Sequence, residues 1–141
     1  MNKLSLLRIV LALIAIYHVV LGLATFISDD LTTRLAWQLF GLNLDMTPQL
    51  SYIVQLLGVY AITFGVFAAY VARDPLASRA MLNVIVVLYV LRVVNKFLSM
   101  GEFTQAFNAS MTRVWTDVVL LAFFGAAVLL LRPATITPRH A

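Results

Sequence analysis

The sequence predicts an all-α fold: a four-helix transmembrane bundle with a short interfacial helix between the first and second spans. Three observations predict it. Hydrophobic residues make up 62% of the 141 residues and charged residues only 11%, against roughly a quarter charged in a soluble domain. The apolar residues gather into four runs, each near the roughly 20 residues that cross a bilayer as a helix. The polar residues inside those runs fall near one end of each. A soluble fold of this length could not cover so much apolar surface, because small domains leave a large share of their surface exposed. Lipid covers it instead, and one integral membrane domain over residues 1–141 is the expected organisation.

The first span is expected over 4–27. It follows Lys3 and contains one early charge, Arg8, whose long stem lets the guanidinium reach the interface. Gly22-Leu23-Ala24 has the small-residue character of a signal cleavage site. The apolar run exceeds the roughly 7–15 residues of a signal core, so a retained span is expected. The second span, 49–71, follows Pro48, which sits where a missing amide hydrogen does no harm. The third covers 79–100. The fourth covers 112–131, where Arg132-Pro133 stops it, and a short polar tail runs on to Ala141.

The linkers carry helical signals of their own. Asp29 and Asp30 can cap a helix. Leu31, Leu35 and Leu39 recur at i, i+4 and i+8, with Asp30, Arg34 and Gln38 as a second stripe. Trp37 and Phe40 suit a membrane interface. Residues 30–41 therefore read as a short helix lying on the surface, with an ordered loop containing one helical turn as the competing reading. In the third linker, Gly101 to Ser110, Phe103 and Phe107 stand at i and i+4 and suggest a similar element.

Charge sets the expected orientation. Lys3, Arg8, Arg73, Arg79, Arg132 and Arg139 fall on one side of the spans. Arg34 and Arg113 fall on the other, with Asp29, Asp30, Asp45 and Glu102. The positive-inside rule then places both termini in the cytoplasm. The net charge of +4 reflects this topology. The basic residues are too scattered for a nucleic-acid surface.

Several chemistries are excluded. There are no cysteines, hence no disulfide, iron–sulfur cluster or thiolate zinc site. Only His18 and His140 are present, and the topology separates them. A catalytic metal normally takes three protein ligands, and a haem held by two histidines of one chain is excluded. No phosphate loop, nucleophile elbow or metalloprotease helix occurs. The balance leans against an enzyme, with no cofactor in the chain itself.

The polar residues of the spans share a level. Counting 1.5 Å per residue, His18, Gln55, Arg92 and Asp117 lie roughly 7–14 Å below the outer boundary. Tyr89, Arg92, Asn95 and Lys96 share a face of the third span, and Arg113 and Asp117 a face of the fourth. Charges in hydrocarbon turn inward and find partners. Arg92 is therefore expected to pair with Asp117, with His18 and Gln55 close by. Lys96 either joins them or snorkels outward. Two readings of this layer stand: a polar cup that binds a ligand, flanked by Tyr17, Tyr52, Tyr60 and Tyr89, or a network that fixes helix order and register. Only Asn83 continues polarity toward the inner side, so a path through a single chain lacks a wet lining. Ala61, Gly65 and Ala69, and likewise Ala122 and Ala126, form small-xxx-small steps that let backbones approach, either within the bundle or against another subunit.

Gly58-Val59-Tyr60 through Phe64-Gly65, the loop Ala72-Arg73-Asp74-Pro75 and the following helix with Arg92 resemble the small four-helix bacterial membrane proteins grouped as DoxX-like and BphX-like. The resemblance covers about half the chain. It implies a four-helix fold in the bacterial inner membrane and an association with membrane oxidoreductases or quinone-linked systems. It carries over no catalytic residue. Three functions are therefore expected, in this order: a non-catalytic accessory subunit of a larger membrane complex, docking on other subunits or on itself; a binder of a quinone or lipid in the outer polar layer; and an oligomeric transporter or channel.

Overall fold

A computed structural model describes residues 2–133. Arg139 and His140 lie outside the described residues. Within them the chain forms helices only: α1 (Lys3–Ile27), α2 (Asp29–Leu35), α3 (Pro48–Arg73), α4 (Arg79–Leu98), α5 (Met100–Phe107) and α6 (Met111–Leu131). Four of these, α1, α3, α4 and α6, are long and apolar enough to cross a membrane, and they match the expected spans to within about two residues at each end. Their outward faces carry large apolar side chains such as Ile16, Leu57, Leu91 and Phe123, for which lipid is the matching solvent.

Three of the four spans begin on a side-chain cap. Asn2 Oδ1 accepts from the Ser5 amide at 2.8 Å, Thr47 Oγ1 from Leu50 at 3.2 Å, and Ser110 Oγ from Arg113 at 3.4 Å. Pro48 stands at the first position of α3, as expected. These caps satisfy amide donors that have no partner within the helix, at the boundary where water runs out.

The expected interfacial helix is present and is compound. Ser28, rather than an aspartate, caps α2, its hydroxyl accepting from Leu31 at 3.0 Å. Asp29 instead accepts from the Ser51 hydroxyl at the start of α3, at 2.8 Å. The helix then widens into a π-helical turn, Ala36–Phe40, and Gly41 ends it in the left-handed region at φ 67°. Arg113 of α6 packs where a Cβ on Gly41 would sit, and its guanidinium donates to the Gln38 carbonyl at 3.2 Å. The Phe103/Phe107 segment is likewise a helix, α5, and the carbonyl of Phe107 accepts from the Asn43 amide at 3.1 Å. The short helices and their connections are thus tied together at the end of the bundle opposite the termini, called the distal end below.

The four spans pack as two pairs. α1 lies along α3, α4 lies along α6, and contact between α1 and α6 joins the pairs. α3 meets α4 only sparsely, for example through Phe64 and Tyr89, whose ring centroids are 6.5 Å apart. The α1–α3 seam is built on glycine. A Cβ on Gly22 would lie 2.6 Å from the Gly58 carbonyl oxygen, and one on Gly65 would lie 2.8 Å from that of Ala15. In the other pair, Gly125 faces the Cβ of Tyr89 at 3.0 Å. The dry core, with Leu7, Leu11, Ile14, Val71, Leu82 and Ile85, fills the half of the bundle near the termini.

The small-residue positions divide between the inside and the outside of the bundle. Gly65 is buried in the seam and Ala61 half-buried, but Ala69, Ala122 and Ala126 are exposed. Alanine keeps its Cβ, so the closest backbone approaches go to glycines, and these three alanines face out of the bundle.

A candidate functional site in the distal half

The inward-facing charges sit above the dry core, on the distal side. His18, 6% exposed on α1, places Nδ1 2.8 Å from the Ile14 carbonyl oxygen one turn earlier. A carbonyl only accepts, so Nδ1 carries the hydrogen and donates. Nε2 then offers its lone pair to the Arg92 guanidinium of α4, which donates across 3.1 Å. Tyr17 and Phe64 pack edge-on against the imidazole at centroid distances of 5.2 and 4.8 Å. The ring is thereby held in one tautomer and one orientation.

One turn further along α4, Lys96 Nζ lies 2.9 Å from Asp117 Oδ2 of α6, the two side chains being 19% and 8% exposed. The same ammonium stands over the ring of Phe103 on α5, 3.7 Å from its centroid. It is held between a carboxylate and an aromatic face, both favourable to a cation.

The expected Arg92–Asp117 pair is therefore not formed; Lys96 takes Asp117 and Arg92 takes His18. The reason lies in how side chains leave a helix. Cβ bonds tilt toward the helix N-terminus. α4 runs toward the distal end, so Arg92 and Lys96 both lean back toward the core, by about a turn. α6 runs the opposite way, so Asp117 leans distally and rises to meet Lys96. Counting residues along the axis treats side chains as perpendicular and shifts the pairing by one turn.

Two further expected members stand apart. Gln55 is half-buried on α3 and has no hydrogen-bond partner among the described residues, and Asn95 is exposed. The glycine seam sets the rotation of α3, and it turns Tyr52 (69% exposed) and Tyr60 outward, while Tyr17 and Tyr89 stay beside the layer. The Thr63 hydroxyl donates to its own helix at Val59. The layer is thus His18, Arg92, Lys96 and Asp117, roofed by Phe103. The roof was not foreseen. Its signal was the aromatic pair one helical turn apart in a linker only about ten residues from Lys96.

The fully buried polar atoms of the layer are all partnered. Among the described residues no buried side-chain nitrogen or oxygen lacks a partner. With His18 neutral, two cations face one carboxylate, and one positive charge, on Arg92, has no carboxylate within ion-pair distance among the described residues. Cavities open elsewhere: one of about 900 Å³ at the terminal end between α1, α4 and α6, one of about 480 Å³ along α1 and α3, and one of about 480 Å³ beside Trp115. Asn83, near the terminal end of α4, accepts from Arg132 at 3.1 Å.

Comparisons with protein-family models, with curated proteins and with solved structures return no match for the chain.

Proposed function

We propose that this chain is a non-catalytic accessory subunit of a larger membrane complex and that it docks through the outward face of α6. One observation carries the reading. The fully buried polar atoms are satisfied within the chain, while Ala122 and Ala126 turn outward on a stripe that also holds Trp115 and Val119. In lipid, helices associate by close packing more than by hydrophobicity, and small residues are what permit it. Isolation from native membranes in mild detergent is expected to bring down stoichiometric partner subunits. Ala122→Trp is expected to release them while the helical content of the chain is unchanged. A monomer in intact native membranes, seen by cross-linking, would end this reading.

A second reading has its own support. Arg92 is half-buried and lacks a carboxylate, which suits a lipophilic ligand bearing a carbonyl or headgroup oxygen. A quinone or lipid fits that description, and so does the resemblance to DoxX-like proteins of quinone-linked systems. Mass spectrometry of organic extracts from the purified chain tests it. Ligand content unchanged in Arg92→Leu removes the idea.

A further inference from the structure

The cavity of about 900 Å³ at the terminal end is formed where the starts of α1 and α4 converge with the end of α6. Its polar wall is Lys3, Arg79, Asn83 and Arg132, and leucines of the three helices with the α3–α4 loop's Leu76 supply most of the rest. Lys3 and Arg132 bring two cations to it beside Arg79, which is engaged in an interaction of its own, and no carboxylate lines it among the described residues. Arg132 is pre-oriented, since one guanidinium nitrogen donates to Asn83 Oδ1 at 3.1 Å and leaves the other arm of the fork to a ligand.

We infer that this cavity seats the phosphate headgroup of an anionic phospholipid from the leaflet next to the chain termini. Charge selects an anion. The leucine part of the wall, at the level where the spans end, selects one that carries acyl chains rather than a free ion. The volume lies within the roughly 300–1,000 Å³ of ordinary ligand sites. Basic pockets between membrane helices bind such headgroups, with about a fivefold gain in affinity for each Lys or Arg near the surface.

Native mass spectrometry of the full chain in non-ionic detergent tests this, with phosphatidylglycerol, phosphatidylcholine and inorganic phosphate as probes. Phosphatidylglycerol is expected to bind at least about tenfold more tightly than phosphatidylcholine. Lys3→Gln and Arg132→Gln are each expected to weaken it about fivefold. Arg34→Gln, which removes the same charge at the distal end, is expected to change nothing. Should a variant misfold, raising the salt with the unaltered chain is expected to release phosphatidylglycerol but not phosphatidylcholine. Equal binding of the two lipids, salt-insensitive binding, or an equal loss in Arg34→Gln would overturn the inference. So would full displacement of the lipid by millimolar inorganic phosphate, which would make this a free-phosphate site.

Discussion

The two helix pairs solve the same problem with different materials. α1 and α3 touch through glycine, with backbone against backbone at Gly22, Gly58 and Gly65. α4 and α6 touch through side chains, with Gly125 under Tyr89 at one level and the Lys96–Asp117 pair at another. Lipid tails give helices no hydrophobic reason to associate, so packing and polar contacts must do so. A glycine seam is insensitive to protonation and salt but cannot accept a methyl group. An ionic seam tolerates volume but cannot lose one partner alone. The comparison predicts where each pair should fail.

The largest effect is expected at the glycine seam. In Gly22→Leu the new side chain meets the Gly58 carbonyl and the Ile62 backbone amide, neither of which can swing aside. Unfolding in lipid bicelles should show a loss of at least about 3 kcal/mol, the upper end for overpacking. A loss below about 1 kcal/mol would mean that α1 and α3 slide past each other freely.

The ionic seam comes next. Asp117→Leu strands Lys96 in a mostly apolar place, with a cost of about 2–3 kcal/mol by the same measurement, near the cost of a charge in a membrane interior. The double variant Lys96→Met, Asp117→Leu is expected to return within about 1 kcal/mol of the parent, because a buried pair replaced as a whole is often neutral. A double variant as weak as the single would show that charge is not what joins α4 to α6.

His18 links the two pairs, since its partner Arg92 belongs to the other one. His18→Leu is expected to cost about 1 kcal/mol, as interhelical hydrogen bonds in membranes are individually modest. The nitrogen chemical shifts of the imidazole should report an Nδ1–H ring in the parent chain. The smallest effect belongs to the exposed Arg34–Asp30 pair, 3.0 Å apart on α2. Arg34→Ala should change stability by less than about 0.5 kcal/mol, which gives the comparison its baseline.

Much of this was legible in the residues. The spans announce themselves by length, by Pro48 and by Arg132-Pro133, because bilayer thickness dictates helix length directly. The shared level of His18, Arg92 and Asp117 also follows from counting, since rise per residue is fixed. The partner choice does not, because it depends on which way each side chain leans, and that reverses between antiparallel helices. The rotation of α3 was hidden for a different reason. Polarity suggested turning Gln55 and Tyr52 inward, whereas the glycines decided. Four of the six glycines lie in the spans, at 22, 58, 65 and 125, and every one of them stands at a close approach. Reading glycine alone, rather than small residues in general, would have placed the seams and left Ala69, Ala122 and Ala126 outside them.

The aromatic roof over Lys96 has a consequence for how the molecule responds to its medium. With Phe103 capping the ammonium, bulk ions have little access to that charge, and attraction grows as the local dielectric falls. Electrolyte screening, which acts over about 10 Å at 0.1 M, will weaken the solvent-bathed Arg34–Asp30 contact and spare this one. A short helix between two spans thereby insulates a contact between them, so shortening or unwinding α5 would hydrate the ion pair without altering either charged residue.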